Sequence, residues 1–439
     1  MSPRLPGHPS PGDAVVETLH NGVRVAVFRE PRMATAAISV FVRAGSDHES
    51  ARLNGVGHVI EHMAFKGTRT RDCQQVNLDA ERLGADVDAH TDKDHTAFHM
   101  RGLAGDAASL VAMLGDIVTR CSFPEPELER ERQVLLQEFA EDDDDPVSTA
   151  YKRFDRACYG EHPAGQPVIG TRANLRRFTR SDLVAHVARL YAGANTVVAV
   201  GGDVDPVAIV RAAARAFDAM PPAGGDPLSP PAWIGGVRAR RLPGCSQAHV
   251  IAGYPIPPRS GDYEPFAVAA AVFGRGMSSP LLDELRERRG IVYHADCSAD
   301  VRDTCGQLVI EASMAPGAVR SYAAEVSRML RDHAATIDPS AVQRARNQIR
   351  VAVARDHESA PERLERAALD LFSYGRILSF DEHMDRIAQV TPDQVRDAFA
   401  RMLRAPAAVA VAGAYGRGEE HRVAQLLPGA RAACSAIGT

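Results

Sequence analysis

Chemistry is concentrated in one stretch, Gly57-His58-Val59-Ile60-Glu61-His62-Met63-Ala64-Phe65, which reads His-x-x-Glu-His. On an α-helix, residues four apart share a face, about one turn up. His58 and His62 can therefore turn two imidazoles toward one metal ion, and Glu61 projects its carboxylate to the same side. Such a set holds zinc and places a base beside the water that zinc activates. The plain alternative is a surface helix that carries two histidines and a glutamate by chance. The helix itself is expected: Asn54 or Gly55 caps it, Val56, Ile60 and Met63 supply apolar positions, and Gly67 suits its end.

The surrounding elements follow from periodicity. Residues 15–28 alternate about Asn21-Gly22 and predict a hairpin. Residues 36–43 form a β-branched apolar run, a buried strand. Residues 45–54 are polar and read as a loop. Helices are predicted over 74–83, 107–119, 147–159, 181–191 and 207–217, two strands over 85–101, and a buried strand over 195–202. A charge-rich helix over 125–139 carries Glu131 and Glu138 seven residues apart, two turns and hence one face. It runs into Glu141-Asp142-Asp143-Asp144-Asp145, which either lines a chamber for basic peptides or is a solvated helix end. His90, His95 and His99 flank a turn and are a rival metal cluster. With no carboxylate at helical spacing they read as sheet-surface histidines, as do His48, His162 and His294.

A length of 439 residues exceeds what one core usually serves, so two domains are expected. The net charge of −5 argues against nucleic-acid binding, and no apolar run nears the roughly 18 residues of a membrane span. Residues 1–13 show neither a secretory apolar core nor an Arg-rich amphipathic pattern. Seven scattered cysteines without a C-x-x-C pair suggest reduced thiols and a cytoplasmic location. Past a Pro-, Gly- and Arg-rich stretch the second half repeats the first half's element order, without a second His-x-x-Glu-His. It predicts strands over 248–254, 291–299, 306–313 and 407–412, and helices over 265–273, 279–288, 318–334, 340–357, 361–374 and 391–403. The reading is α+β: two similar domains, 1–222 and 246–439, each a mainly antiparallel sheet packed with helices, joined by a linker over 223–245.

These stretches together resemble the pitrilysin/insulinase family of zinc peptidases, inverted zincins named for the His-x-x-Glu-His order. Within that family the chain looks most similar to the branch of the mitochondrial processing peptidase and its bacterial relatives. The resemblance rests on residues 18–25, 44–46, 57–68, 131–138, 162–171, 276–279 and 284–293, in that order and spacing. It implies one zinc per chain held by His58, His62 and Glu138, the last lying 76 residues after His62. It makes Glu61 the general base, and Glu131 the carboxylate that orients a ligand histidine. It matches Arg286 and Tyr293, seven apart, to the family's pair that contacts substrate and transition state. It implies a zinc endopeptidase acting on unfolded peptides or leader segments, bound as an extended strand at a sheet edge. A homodimer, or a heterodimer with a paralogue, would form a clam-shell. The alternatives are a non-catalytic or partner-dependent subunit, or a metal-binding protein without peptidase activity. One departure stands out. The family's edge strand usually reads Asn-Ala-aromatic-Thr, and here it is Asp88-Ala89-His90-Thr91. The added charge of Asp88 implies either a preference for basic substrates or a weaker peptide grip.

Overall fold

The structure is a computed structural model that describes residues 14–225 and 227–429. The expectation for residues 1–13 and the seventh cysteine, Cys434, lie outside them; the other six cysteines are free thiols.

The chain forms two compact units that do not follow a single cut. The first gathers residues up to 136 with 168–227 and 355–379, and the second gathers 137–167, 228–354 and 380 onward. In the first unit, β1 (Ala14–Thr18), β2 (Arg24–Arg29), β3 (Thr35–Val42), β4 (Asp86–Thr91), β5 (Thr96–Leu103) and β6 (Thr196–Gly202) form one sheet. Its order is β1-β2-β6-β3-β5-β4, antiparallel except for β2 beside β6. The expected hairpin joins β1 and β2. Asn21 closes it from inside, its Nδ2 donating to the Phe217 and Met220 carbonyls at 2.8 and 3.2 Å.

In the second unit, β7 (Gly236–Arg241), β8 (Ala248–Ile256), β9 (Val292–Val301), β10 (Gly306–Met314) and β11 (Ala408–Gly413) are ordered β7-β11-β8-β10-β9. Only β7 and β11 run parallel. That order matches β2-β6-β3-β5-β4 strand for strand, with the parallel pair at the same end. The duplication read from the sequence is therefore present, and each sheet is mixed through a single parallel pair.

Helices needed below are α1 (Val56–Ala64), α2 (Cys73–Arg82), α3 (Ala107–Arg120), α4 (Glu125–Asp144) and α5 (Pro146–Tyr159). Each half lends a helix to the other unit. Ala150, Phe154 and Ala157 of α5 pack on Ile251, Val309 and Ala410 of the second sheet. Leu364, Ala368 and Leu371 of the Ala360–Tyr374 helix pack on Phe28, Phe41 and Val197 of the first. Covering one sheet face in this way buries side chains that would otherwise face water, at about 25 cal/mol per Å² of apolar surface.

Several expectations change. The stretch 223–245 holds β7, an edge strand in which only Val237 and Ala239 pack inward, too short an alternation to stand out in a Pro-, Gly- and Arg-rich stretch. The acidic run is a solvated end only at Glu141 and Asp144, which are exposed. Asp143 takes both terminal nitrogens of Arg240 at 2.5 and 2.9 Å, Asp142 pairs with Lys152 at 2.5 Å, and Asp145 caps α5 through the Ser148 amide at 2.7 Å. Residues 279–288 form a short turn, Pro280–Leu282, and then a π-helical turn, Asp283–Arg288. The helices Phe380–Ala388 and Glu419–Leu426 were not expected.

His186, on the Arg180–Leu190 helix, is 1% exposed, and burial, helped by Arg189 and His48, pushes its pKa down to about 3. The folded state keeps this ring neutral, whereas the unfolded chain protonates it below about 6.5. Its contribution to stability is thus full above pH 6.5 and is lost as the pH falls toward 3, by up to about 1.4 kcal/mol per pH unit. Denaturant unfolding between pH 7 and 5 is expected to show a shallower pH dependence for His186→Leu than for wild type. Equal slopes would mean that the ring is not held neutral.

Candidate metal centre

The histidine-bearing helix begins with a buried acid. Of the two expected caps, Gly55 occupies the cap position of α1, at φ 96° and with no side chain to bond the first turn. Glu49 supplies the side-chain bonds, from the preceding loop. Its Oε2 accepts from the Gly55 amide at 2.7 Å and from Asn54 Nδ2 at 3.2 Å, and its Oε1 accepts from the Gly57 amide at 2.7 Å. A carboxylate suits the positive end of a helix. Glu49 is 1% exposed, and burial pushes its pKa up to about 7, outweighing these bonds. It was missed because it precedes the amides it binds by six and eight residues, outside the usual capping spacing. Gly55 also lies backbone to backbone with Gly170: a Cβ on Gly55 would sit 2.7 Å from Gly170 Cα. Only glycine admits that approach, which gives the 162–171 stretch its bearing on the site.

From this start α1 presents His58, buried, and His62, half-buried, with ring centroids 4.7 Å apart. α4 supplies the carboxylates. Glu131 Oε1 lies 3.0 Å from His62 Nδ1, and its Oε2 lies 2.7 Å from Lys66 Nζ. Burial tends to raise the Glu131 pKa, but Lys66 and His62 together hold it below the usual carboxylate range. An ionised Glu131 accepts a proton-bearing Nδ1, which leaves the His62 Nε2 lone pair for a metal. Two turns further along α4, Glu138 joins them. One ligand atom each from His58, His62 and Glu138 lie within 4.8 Å of one another, close enough to hold a single ion. Two imidazoles and a carboxylate are the donors zinc favours, with a fourth position left open. Glu61 is half-buried on the same helix, next to His62.

The structure thus brings together His58, His62, Glu138 and Glu131. Arg286 and Tyr293 belong to the second unit, Arg286 in the π-helical turn and Tyr293 at the start of β9. Tyr293 is 74% exposed, and Arg286, also exposed, lies 3.8 Å from Met277 Sδ.

The rival cluster is not a set of surface histidines. His95 is 2% exposed, and its Nδ1 lies 2.7 Å from Asp94 Oδ1. A further carboxylate, Glu365, arrives from the Ala360–Tyr374 helix, far away in sequence and so invisible to a test of helical spacing. His48 and His162 are half-buried and His294 is exposed. Asp88 is exposed and pairs across the sheet with His99, so its side chain shares the histidines' face. The opposite face carries Thr96 and Phe98, and Phe98 meets Phe65, just past α1, at 6.4 Å.

Fold and site together define a duplicated α+β protein with a His/His/Glu cluster, matched to a helix-borne glutamate, in its amino-terminal half. Residues 24–172 match the insulinase family (peptidase family M16), and residues 177–349 match the peptidase M16 inactive domain. A protein of Mycobacterium leprae named as an uncharacterized zinc protease is 31% identical over 412 residues, 91% of each chain. Subunit 1 of the bovine mitochondrial cytochrome b-c1 complex is 30% identical over 292 residues, 64% of this chain and 56% of that one. A protease from Helicobacter pylori has the same fold, with a TM-score of 0.83 at 18% identity over 92% of this chain and all of that one. The chain belongs to the insulinase family, peptidase family M16.

Removing the carboxylate behind a ligand histidine typically costs 10–100-fold in metal affinity. Glu131→Gln is expected to weaken zinc binding by about that factor in a chelator competition. Unchanged affinity in a folded variant would show that Glu131 does not act on His62.

Proposed function

We propose that this protein is a zinc-dependent endopeptidase that hydrolyses unfolded peptides or leader segments. The observation that carries the proposal is the convergence of His58, His62 and Glu138, with Glu131 behind His62. The names of the curated relatives support zinc and proteolysis. Zinc bound by these three residues would supply a water acidified toward pKa about 7 and would polarise the scissile carbonyl. The Glu61 carboxylate takes up the water's proton and returns it to the leaving amine, so it must stand near the metal without ligating it. Glu131 keeps the His62 proton on Nδ1. Arg286 and Tyr293, by their match to the family's pair, are assigned as donors to the substrate carbonyl or the developing oxyanion.

The substrate is assigned to the edge strand β4, whose outer side pairs with no described strand. A peptide added there is held through main-chain bonds, which tolerate varied sequence but require an extended segment. Asp88 lies on the face away from α1, which weighs against the preference for basic substrates. A second copy, or a paralogue, is the proposed partner. No described helix is long and apolar enough to cross a membrane, and the six described cysteines are free; the cytoplasm is the proposed compartment.

The second reading is a non-catalytic or partner-dependent subunit, favoured by the likeness to a b-c1 complex subunit and by the match of residues 177–349 to an inactive domain. The retention of Glu61 beside a complete ligand set favours catalysis. Purified wild type and Glu61→Gln are to be assayed on a quenched peptide library, with zinc measured on both. Both are expected to hold zinc, with Glu61→Gln slower by at least about 100-fold. Zinc in both with cleavage by neither would support the subunit reading. Wild type without zinc would remove the site.

A further inference from the structure

The first unit holds a second set of metal-ligating side chains, on the sheet face opposite α1. His90 on β4 pairs across the sheet with Ala97, which packs with Phe41 against the Ala360–Tyr374 helix. His95, in the turn before β5, and His99 on β5 share that face, both with ring contacts to Phe41. His90 Nε2 and His95 Nε2 lie 3.3 Å apart, and Glu365 Oε1 lies 3.9 and 3.6 Å from them. In a tetrahedral site with bonds of about 2.0–2.1 Å, ligand atoms stand about 3.3–3.4 Å apart. The histidine pair is already at that separation, and a partly exposed glutamate closes the remaining few tenths by rotation.

The outer nitrogens are arranged to leave both Nε2 lone pairs facing one point. His95 Nδ1 donates to Asp94 Oδ1 at 2.7 Å. His90 Nδ1 faces His99 Nε2 at 3.1 Å, and His99 Nδ1 faces the buried Ser39 hydroxyl at 2.8 Å. In the neutral tautomer with its proton on Nδ1 toward Ser39, His99 Nε2 accepts from His90 Nδ1–H, which frees His90 Nε2. Carboxylates behind metal-bound histidines, as Asp94 stands behind His95, fix ring and tautomer in this way. Two Nε2 lone pairs at 3.3 Å repel unless a positive centre lies between them, and Glu365 supplies a third donor to it.

We propose that His90, His95 and Glu365 bind a divalent transition-metal cation, zinc by donor type, as a second site independent of His58, His62 and Glu138. The ion ties edge strand β4 and the β4–β5 turn to the Ala360–Tyr374 helix. That turn accepts the Ser46 and Asp47 amides through the Asp92 and Lys93 carbonyls, at 3.1 and 2.7 Å, and so steadies the loop that delivers Glu49. The competing arrangement is a histidine pair sharing a proton, with no metal.

The test is equilibrium dialysis of the full chain against zinc chloride, with circular dichroism as a check on folding. Wild type is expected to hold two zinc ions, His90→Phe one, His62→Gln one, and the double variant none. Glu365→Gln, at a half-buried position, tests the same site if His90→Phe fails to fold. It is expected to weaken one of the two ions by at least tenfold and leave the other unchanged. Cobalt bound to His62→Gln is expected to show the intense visible bands of tetrahedral coordination. One zinc in wild type that persists unchanged in His90→Phe and Glu365→Gln would overturn this site and leave the α1 site standing. One zinc that is lost in His90→Phe but kept in His62→Gln would support this site and remove the α1 assignment. Two zinc ions that persist undiminished in both His90→Phe and Glu365→Gln would also overturn it.

Discussion

A buried carboxylate holds the start of the histidine helix. Glu49 accepts from two backbone amides and one side-chain amide at the amino-terminal end of α1, in a place that water does not reach. Each charge-assisted bond of this kind contributes roughly 1.5–3 kcal/mol, while desolvation of the charge opposes them. What the arrangement fixes is direction. With the first turn of α1 pinned and Gly55 against Gly170, His58 and His62 point toward α4. Glu131 and Lys66 then lock the outer nitrogen of His62, and the next two turns of α4 bring Glu138 to the same point.

The duplication explains why such a site can be placed on one half alone. Both sheets share one strand order and one parallel pair, so the scaffold is the same. The first unit sets α1 between β3 and β4, and the second sets the Glu264–Gly274 helix between β8 and β9. That second helix is buried nearly throughout and, apart from Glu264 and Gly274, is made of Pro, Phe, Ala and Val; Glu264 pairs with Arg386 at 3.2 Å, so the helix serves the core and carries no histidine pair. The exchange of α5 and the Ala360–Tyr374 helix means that neither unit completes its core from its own half of the sequence. It also brings Glu365 to the histidines of β4 and β5.

What the sequence made legible was whatever a single period carries. The His58/His62 spacing, the Glu131/Glu138 spacing and the strands of the first sheet fall in this class. Glu138 as partner to the histidines came from resemblance alone, since no local pattern links residues 76 apart. Glu49, Glu365 and β7 were missed for physical reasons. Glu49 caps from a loop, Glu365 arrives across the fold, and β7 alternates small apolar residues with arginine at a sheet edge. The acidic run misled in part because charge density read as exposure: Glu141 and Asp144 are exposed, but Arg240, Lys152 and the Ser148 amide take up Asp143, Asp142 and Asp145.

The central claim is that α1 and α4 hold one zinc ion between them. The most direct measurement is anomalous diffraction at the zinc absorption edge from crystals of the zinc-loaded protein. The account predicts a peak about 2.0–2.2 Å from His58, His62 and Glu138, with Glu131 off the metal and bonded to His62. A zinc-loaded crystal with no peak at those three residues, or with Glu131 in the place of Glu138, would contradict it.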